Sequence, residues 1–462
     1  MYLEEHEIII PLSYSNESLL IYFERAIRDH LPDGYTPIRF IITKTDKEGY
    51  RCELGVLAGA NEVPEEQPIP IFKFLSRQWE NTDQFNAVLL VPTGIGAEIG
   101  GHAGDACPVA RLLASACDTL ITHPNVVNAS DINELPENGL YVEGSVISRL
   151  LMGTIGLQKV RSNRVLLLID EHNDSQISAF AINAASAARA VFGMNCVRIL
   201  KMDPPIKMEA RYSSSGSAVG QVFDLEKLCR LINRYREEFD AVAIASVIGI
   251  QQDLLEKYFH SSGEIVNPWG GVEALLTHAI SMIFNVPSAH APMVESLEVL
   301  NIPLGVVDPR MSAEAISCAF LHCVLKGLHR SPKIVDNPDM FIRSGVISAA
   351  DVSCLIIPDG CVGLPTLAAM EQGIPVIAVR ENRNLMRNNL EALPFAPGKL
   401  VIVDNYLEAA GVMMALKSGV SLPSVRRPLE DTVVSTEHIE NETGTNSFRE
   451  DSSNSSIGNP QS

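Results

Sequence analysis

Residues 87–116 read AVLLVPTGIGAEIGGHAGDACPVARLLASA. The run Ala87–Val91 is apolar throughout, as expected of a strand covered on both faces rather than one with a wet side. Five glycines then fall between Gly94 and Gly104, and an alanine-rich helical segment follows over Ala106–Ala116. Strand, glycine loop and helix in that order describe one unit of a parallel sheet with helices on its faces. The same alternation recurs outward from this stretch. Further strands are expected at Thr119–Thr122, Arg164–Ile169, Val197–Leu200, Ala241–Ser246, Cys354–Ile357 and Val376–Val379. Helices are expected at Ile177–Val191, Leu225–Arg236, Gly271–Ile283 and Ala313–Lys326. The fold class is therefore α/β, with mostly parallel, Rossmann-like sheets carrying helices on both faces.

Five segments are expected along the chain. Residues 1–58 form a small α+β unit, with a strand near Ile8–Leu12, a helix from Glu17 to His30 and two strands about Thr45–Gly49. Residues 59–85 are a linker, opening with the Pro- and Glu-rich GANEVPEEQPIP. Residues 86–330 make the main α/β domain and 331–427 a lobe resembling a nucleotide fold. Residues 428–462 hold seven acidic residues against one basic and few large apolar side chains, the composition of a disordered tail.

The whole chain has 462 residues, of which 46% are apolar and 20% charged, a globular balance. Its formal net charge of −20 opposes phosphate backbones and anionic lipid, so neither nucleic acid nor a membrane surface is an expected partner. The nine cysteines form no C-x-x-C pair, which points to free thiols in a reducing cytoplasm. The N-terminus, MYLEEHEIII, is acidic and carries no presequence pattern. The apolar stretch Leu275–Val294 is broken by histidines and prolines and is a poor membrane span.

In a doubly wound sheet, ligands bind beyond the carboxyl ends of the strands, so the loops there carry the functional expectation. The glycine loop, with Thr93, Gly94, Gly96, Gly100, Gly101 and Gly104, is expected to turn its amides toward an anion. It is not a dinucleotide fingerprint, because G-x-G-x-x-G would need glycine at Ile99, and it lacks the Lys-Ser/Thr end of a P-loop. Asn125, Asn267, Arg310, Gly363, Arg380, Asn382 and Arg383 are the other expected substrate contacts, the arginines neutralising substrate charge. His102, Asp105, His123 and His290 are candidates for proton transfer or for holding a bridging divalent cation. Cys361 sits in a glycine-flanked loop before a helix, where a thiol is acidified, and is the nucleophile candidate, though most buried cysteines only pack. Two polar segments stand apart: Asp203–Gly220 reads as a solvated loop or lid, and Ser312 as the N-cap of the helix after Asp308.

Residues 357–379, IPDGCVGLPTLAAMEQGIPVIAV, resemble a short strand-loop-helix-strand of retaining glycosyltransferases. The positions of that family's donor-gripping glutamates are Gly360 and Ala368, so glycosyl transfer is not implied. A longer resemblance rests on VPTGIGAEIGGHAGDACPVARLLAS, THPNVVNASDINELPENGLYVEGS, NPWGGVEALLTHAIS, PSAHAP and IPDGCVGLPTLAAMEQGIPVIAVRENRN. Together these resemble the family called domain of unknown function 3326, over approximately residues 85–400. That likeness implies membership and no chemistry. The expected function is an enzyme acting on a small anionic metabolite, phosphorylated or nucleotide-like, held among the strand-end loops. The alternative is a non-catalytic metabolite sensor or assembly module.

Overall fold

The structure, a computed structural model, describes residues 1–14, 17–59, 70–261, 263–300, 303–341, 343 and 345–436. Residues 60–69 of the expected linker, and the acidic tail beyond residue 436, lie outside the described residues. Residues Met1–Val420 form one compact unit and Ser421–Ser462 a second. The architecture of the first is mixed α/β.

One sheet is six-stranded and parallel throughout, in the spatial order Leu400–Val403, Val376–Val379, Val352–Pro358, Asn86–Leu89, Thr119–Thr122, Gly139–Tyr141. Numbered along the chain, that order is 6-5-4-1-2-3. The four central strands are buried at every position, which is what their unbroken apolar runs require. The order reverses between Asn86–Leu89 and Val352–Pro358. Their neighbouring carboxyl ends therefore part into loops leading to opposite sides of the sheet.

The second sheet has ten strands and is mixed. Its parallel part runs Asn195–Met202, Arg164–Asp170, Ala241–Gly249, Ser288–Met293. From Ala241–Gly249 it continues through Met208–Tyr212 and Ala218–Val222 to Tyr2–Ile10, Gly49–Ala58, Tyr35–Asp46 and finally Val362–Gly363. The N-terminal strands thus share hydrogen bonds with the body of the molecule. Val362, just past the carboxyl end of a parallel-sheet strand, pairs with Ile42 and brings the two sheets together.

Several expectations shift. The first strand is Tyr2–Ile10, not Ile8–Leu12, and the first helix is Leu19–His30. The polar segment Asp203–Gly220 is not a loop but contains a hairpin between Met208–Tyr212 and Ala218–Val222. Its serines are anchored: the hydroxyls of Ser213 and Ser215 both donate to Glu53 Oε1 on a nearby strand, at 2.6 and 2.7 Å. The helix expected over Ala313–Lys326 is broken into Ser312–Ile316 and Phe320–His329. At the break, Ser130 Oγ donates to the Ser317 carbonyl at 2.5 Å, while Ser317 Oγ accepts the Ala319 amide at 3.2 Å. Such local bonds compete with the helical ladder. Nor does Ser312 cap: the Asp308 carboxylate accepts the Arg310 amide and starts the preceding turn.

Candidate functional site

A cavity of about 730 Å³ opens where the carboxyl ends of the parallel strands face the larger sheet. Strand ends supply Thr93 and Gly94, His123 and Asn125, Glu143 and Ser145, Cys361 and Gly363, and, from the larger sheet, His290. Distant loops that the sequence marked separately therefore border one space. Its remaining wall is mostly apolar, with Ile38, Phe40, Trp269, Phe259, Met282 and Ile357 among the contributors.

The glycine loop is built as the composition demands. Gly94, Gly96, Gly100 and Gly104 have φ of 77°, 60°, 90° and 91°, the left-handed region that other residues avoid. A Cβ on Gly101 would lie 2.2 Å from the Ala97 carbonyl oxygen. The loop's amides are nevertheless largely taken. The Gly100 amide donates to Asp105 Oδ1 at 2.9 Å, joined by that of His102. Ala103 donates to Glu314 Oε1 at 2.7 Å, Glu98 to the Arg383 carbonyl at 2.8 Å, and Ile99 to Asn382 Oδ1 at 2.8 Å. The group gripped by the loop is the carboxyl of Asp105 itself. Burial pushes that carboxyl up to about 7, against the pull of the Gly100 and His102 amides.

Of the expected residues, Thr93, Gly94, Gly101, His123, Asn125, Asn267, His290, Cys361 and Gly363 line the cavity, while Gly96, Gly100, Gly104, His102, Asp105, Arg310, Arg380, Asn382 and Arg383 do not. The arginines meet carboxylates instead: Arg310 with Asp308 and Glu98, Arg380 with Asp404, Arg383 with Glu98. Asn382 is wholly buried; it also donates to the Ile99 carbonyl at 2.9 Å and to Tyr406 at 2.7 Å, which makes it a clamp on the loop. Asn125 acts likewise, donating to the carbonyls of Val91 and Gly100.

The histidines do not gather on one metal. Nδ1 of His102 lies 2.8 Å from the Tyr258 hydroxyl, which also meets Glu314. His123 Nε2 accepts the Val91 amide at 3.1 Å, tying two strand ends together. Burial pushes both imidazoles down to about 4, so they are neutral at pH 7. Among the described residues, no group of three or more His, Cys, Asp or Glu side chains is placed to hold a metal ion. The cation expected at His102, Asp105, His123 and His290 therefore has no assembled ligand set. The expectation for Cys361 is also corrected. Its helix begins only at Leu364, three residues on, and burial raises the thiol far above its ordinary value, so it is not acidified.

Two carboxylate–imidazole pairs border the cavity. His290 places Nε2 2.8 Å from Ser246 Oγ and Nδ1 3.3 Å from Glu273 Oε1, the connectivity of a serine triad. Ser246 is 0% exposed, however, and the His290 side chain is likewise sealed, so this serine has no route to a substrate. The other pair is open. Nδ1 of His278 lies 2.5 Å from Glu143 Oε1, with the imidazole 15% and the carboxylate 3% exposed. Glu143 caps the helix Gly144–Leu151; its Oε2 accepts the amides of Ser145 and Val146 and the Ser145 hydroxyl. Burial alone would raise the Glu143 carboxyl, but His278 and the Ser145 hydrogen bonds outweigh it and hold it below its ordinary value. The contact is a close ion-pair approach rather than an aligned hydrogen bond, and Nε2 is the other ring nitrogen, the one a ligand would meet.

His278 did not stand out in the sequence, because a single histidine on an apolar helix has no partner at readable spacing. The helix Gly270–Phe284 does carry a signal. Glu273 and Thr277, four apart, share one side of an otherwise greasy helix, His278 follows directly, and all three line the cavity.

Comparison with known proteins gives a family model described as "Protein of unknown function (DUF3326)", matching residues 86–426. A protein described as an "Uncharacterized lipoprotein", from Synechococcus sp. (strain ATCC 27144 / PCC 6301 / SAUG 1402/1), is 35% identical over 337 residues, covering 72% of this chain and 91% of the relative. No solved structure matches. Among the described residues, no single helix is long and apolar enough to cross a membrane.

Proposed function

The chain belongs to the DUF3326 family, and since that family has no described activity we propose, from the cavity itself, that the protein is an enzyme moving a proton on a small, largely apolar metabolite. His278 is the acid or base and Glu143 the group that orients it. The observation carrying this reading is the 2.5 Å contact between a sealed carboxylate and an imidazole that keeps 15% of its surface open at the cavity wall. A carboxylate behind an imidazole fixes its tautomer and steadies the imidazolium that forms when a proton is taken, an arrangement worth orders of magnitude in rate.

Position supports the same reading. The cavity lies beyond the carboxyl ends of a parallel sheet ordered 6-5-4-1-2-3, beside the strands where that order reverses. We read this sheet as Rossmann-like, the architecture whose ligand crevice sits at that place. The apolar wall suits a ligand with a hydrocarbon or aromatic body, and Glu273, 26% exposed, offers a second carboxylate to a polar head.

The test is incubation of the full-length protein with a small-molecule extract in deuterium oxide, followed by mass spectrometry. A compound that gains deuterium or disappears with the wild type, but not with His278→Gln, is the expected result. A compound retained by the protein and chemically unchanged would favour a sensor and overturn the enzymatic reading.

A further inference from the structure

Helix Gly144–Leu151 turns one side to the cavity, through Gly144, Ser145, Ser148 and Arg149. Arg149 is 5% exposed. Its Nη2 donates to Asn285 Oδ1 at 2.8 Å. Nε and Nη1, which carry three of the guanidinium's five N–H bonds, are buried and meet no acceptor among the described residues. Burial lowers this guanidinium to about 10, with the charges of Asp336 and Glu143 working the other way. Asp336 reaches Arg149 only through Asn285, whose Nδ2 donates to Asp336 Oδ2 at 3.2 Å. Glu143 is already engaged by His278 and Ser145.

An arginine almost never sits in an interior with most of its donors idle, because a buried cation without a partner is strongly unfavourable. The arginines that the sequence marked as substrate contacts lie elsewhere and meet carboxylates. Two arginines border the cavity: Arg39 is paired with Glu5 at 2.6 Å, whereas Arg149 is incompletely answered.

We propose that Arg149 is the anion-recognising pole of the cavity and that the metabolite carries an oxyanionic group, a carboxylate or a phosphoryl, which completes the guanidinium's hydrogen bonds. This rests on the reading of the cavity as a ligand site and adds the charge of its ligand. One end of the ligand is then an oxyanion held by Arg149, and its body lies along the apolar wall. His278, on the neighbouring helix Gly270–Phe284, addresses a proton in between.

The experiment is a titration of the full-length protein by thermal shift and calorimetry with matched pairs of probes: butyrate against butyramide, phenylacetate against phenylacetamide, and phenyl phosphate against phenol. Each pair holds the body constant and changes only the charge. The wild type is expected to bind the anionic member at least tenfold more tightly. In Arg149→Met that preference disappears, and in Arg149→Lys, which keeps the charge and loses the fork, it falls to a few-fold. Should Arg149→Met not fold, Arg149→Lys and the pairwise preference of the wild type still decide. Equal binding of charged and neutral members, or a preference surviving in a folded Arg149→Met, overturns the proposal and leaves the cavity a ligand site. Saturable binding of neither member by the wild type overturns the proposal and the cavity reading together. A carboxylate preference without a phosphate preference, or the reverse, identifies the oxyanion.

Discussion

Oε1 of Glu143 and Nδ1 of His278 lie 2.5 Å apart, although the two residues belong to different helices and are brought together only by the folded chain. Each is fixed before it meets the other: Glu143 by the amides it caps, His278 by its place on a buried helix. Gly144 gives the imidazole its room, since a Cβ there would lie 3.0 Å from His278 Cε1.

Replacing Glu143 by Gln keeps the shape of the pair and removes its charge. Turnover of whatever compound the deuterium experiment identifies is expected to fall by roughly 10²–10⁴-fold, with binding changed far less. Steady-state kinetics on the variant separate the two. A loss expressed only as a raised KM, with kcat unchanged, would remove His278 from the chemistry.

Asp105 makes a prediction in pH. Its carboxyl is raised from 3.8 to about 7, so the folded state favours the protonated acid. That contribution is complete below about pH 4, where the unfolded chain is protonated as well, and is lost as pH rises toward 7. A span of about three units at ~1.36 kcal/mol per unit gives roughly 4 kcal/mol. Asp105→Asn is therefore expected to gain stability relative to wild type between pH 4 and 7, read from urea midpoints. His102 and His123, lowered to about 4, act in the opposite sense, so the difference between the two proteins, not either profile alone, carries the result. A difference independent of pH would refute the raised carboxyl.

Asn382→Ala removes the clamp on the glycine loop. It leaves the Ile99 amide and carbonyl and the Tyr406 hydroxyl without partners in a buried place. The expected cost is about 2–4 kcal/mol, measured by chemical denaturation. Hydrogen exchange should quicken at Ile99 before it does in the parallel strands.

Cys361 should resist alkylation in the native protein. Its thiol is 4% exposed and raised by burial, so iodoacetamide at pH 8 is expected to modify it only at the rate of unfolding. Rapid labelling at Cys361 under native conditions would restore it as a nucleophile.

The parallel sheet was legible in the sequence because a strand covered on both faces must be apolar along its whole length, and runs such as Leu355–Ile357 leave little else to be. The hairpin about Ser213–Ser217 was hidden because its polar side chains are satisfied by Glu53, some 160 residues earlier. The loops bordering the cavity could be marked one by one as strand ends. Which of their side chains face the cavity could not, because that depends on register and on neighbours. Asn382 and Arg383 are adjacent in sequence, yet one is a buried clamp and the other an exposed cation. His278 and Arg149 gained their interest only from what surrounds them: a sealed carboxylate for the first, missing acceptors for the second.

The strand Tyr35–Asp46 precedes the region shared with relatives, yet Ile38, Arg39, Phe40 and Ile41 border the cavity and Ile42 pairs with Val362. A protein begun at residue 86 would retain every residue of the matched region while losing a wall of the cavity. It would also bare two sheet margins, at Ala218–Val222 and Val362–Gly363, that invite self-association. The cavity is thus walled jointly by the region that the family model matches and by a segment that precedes it.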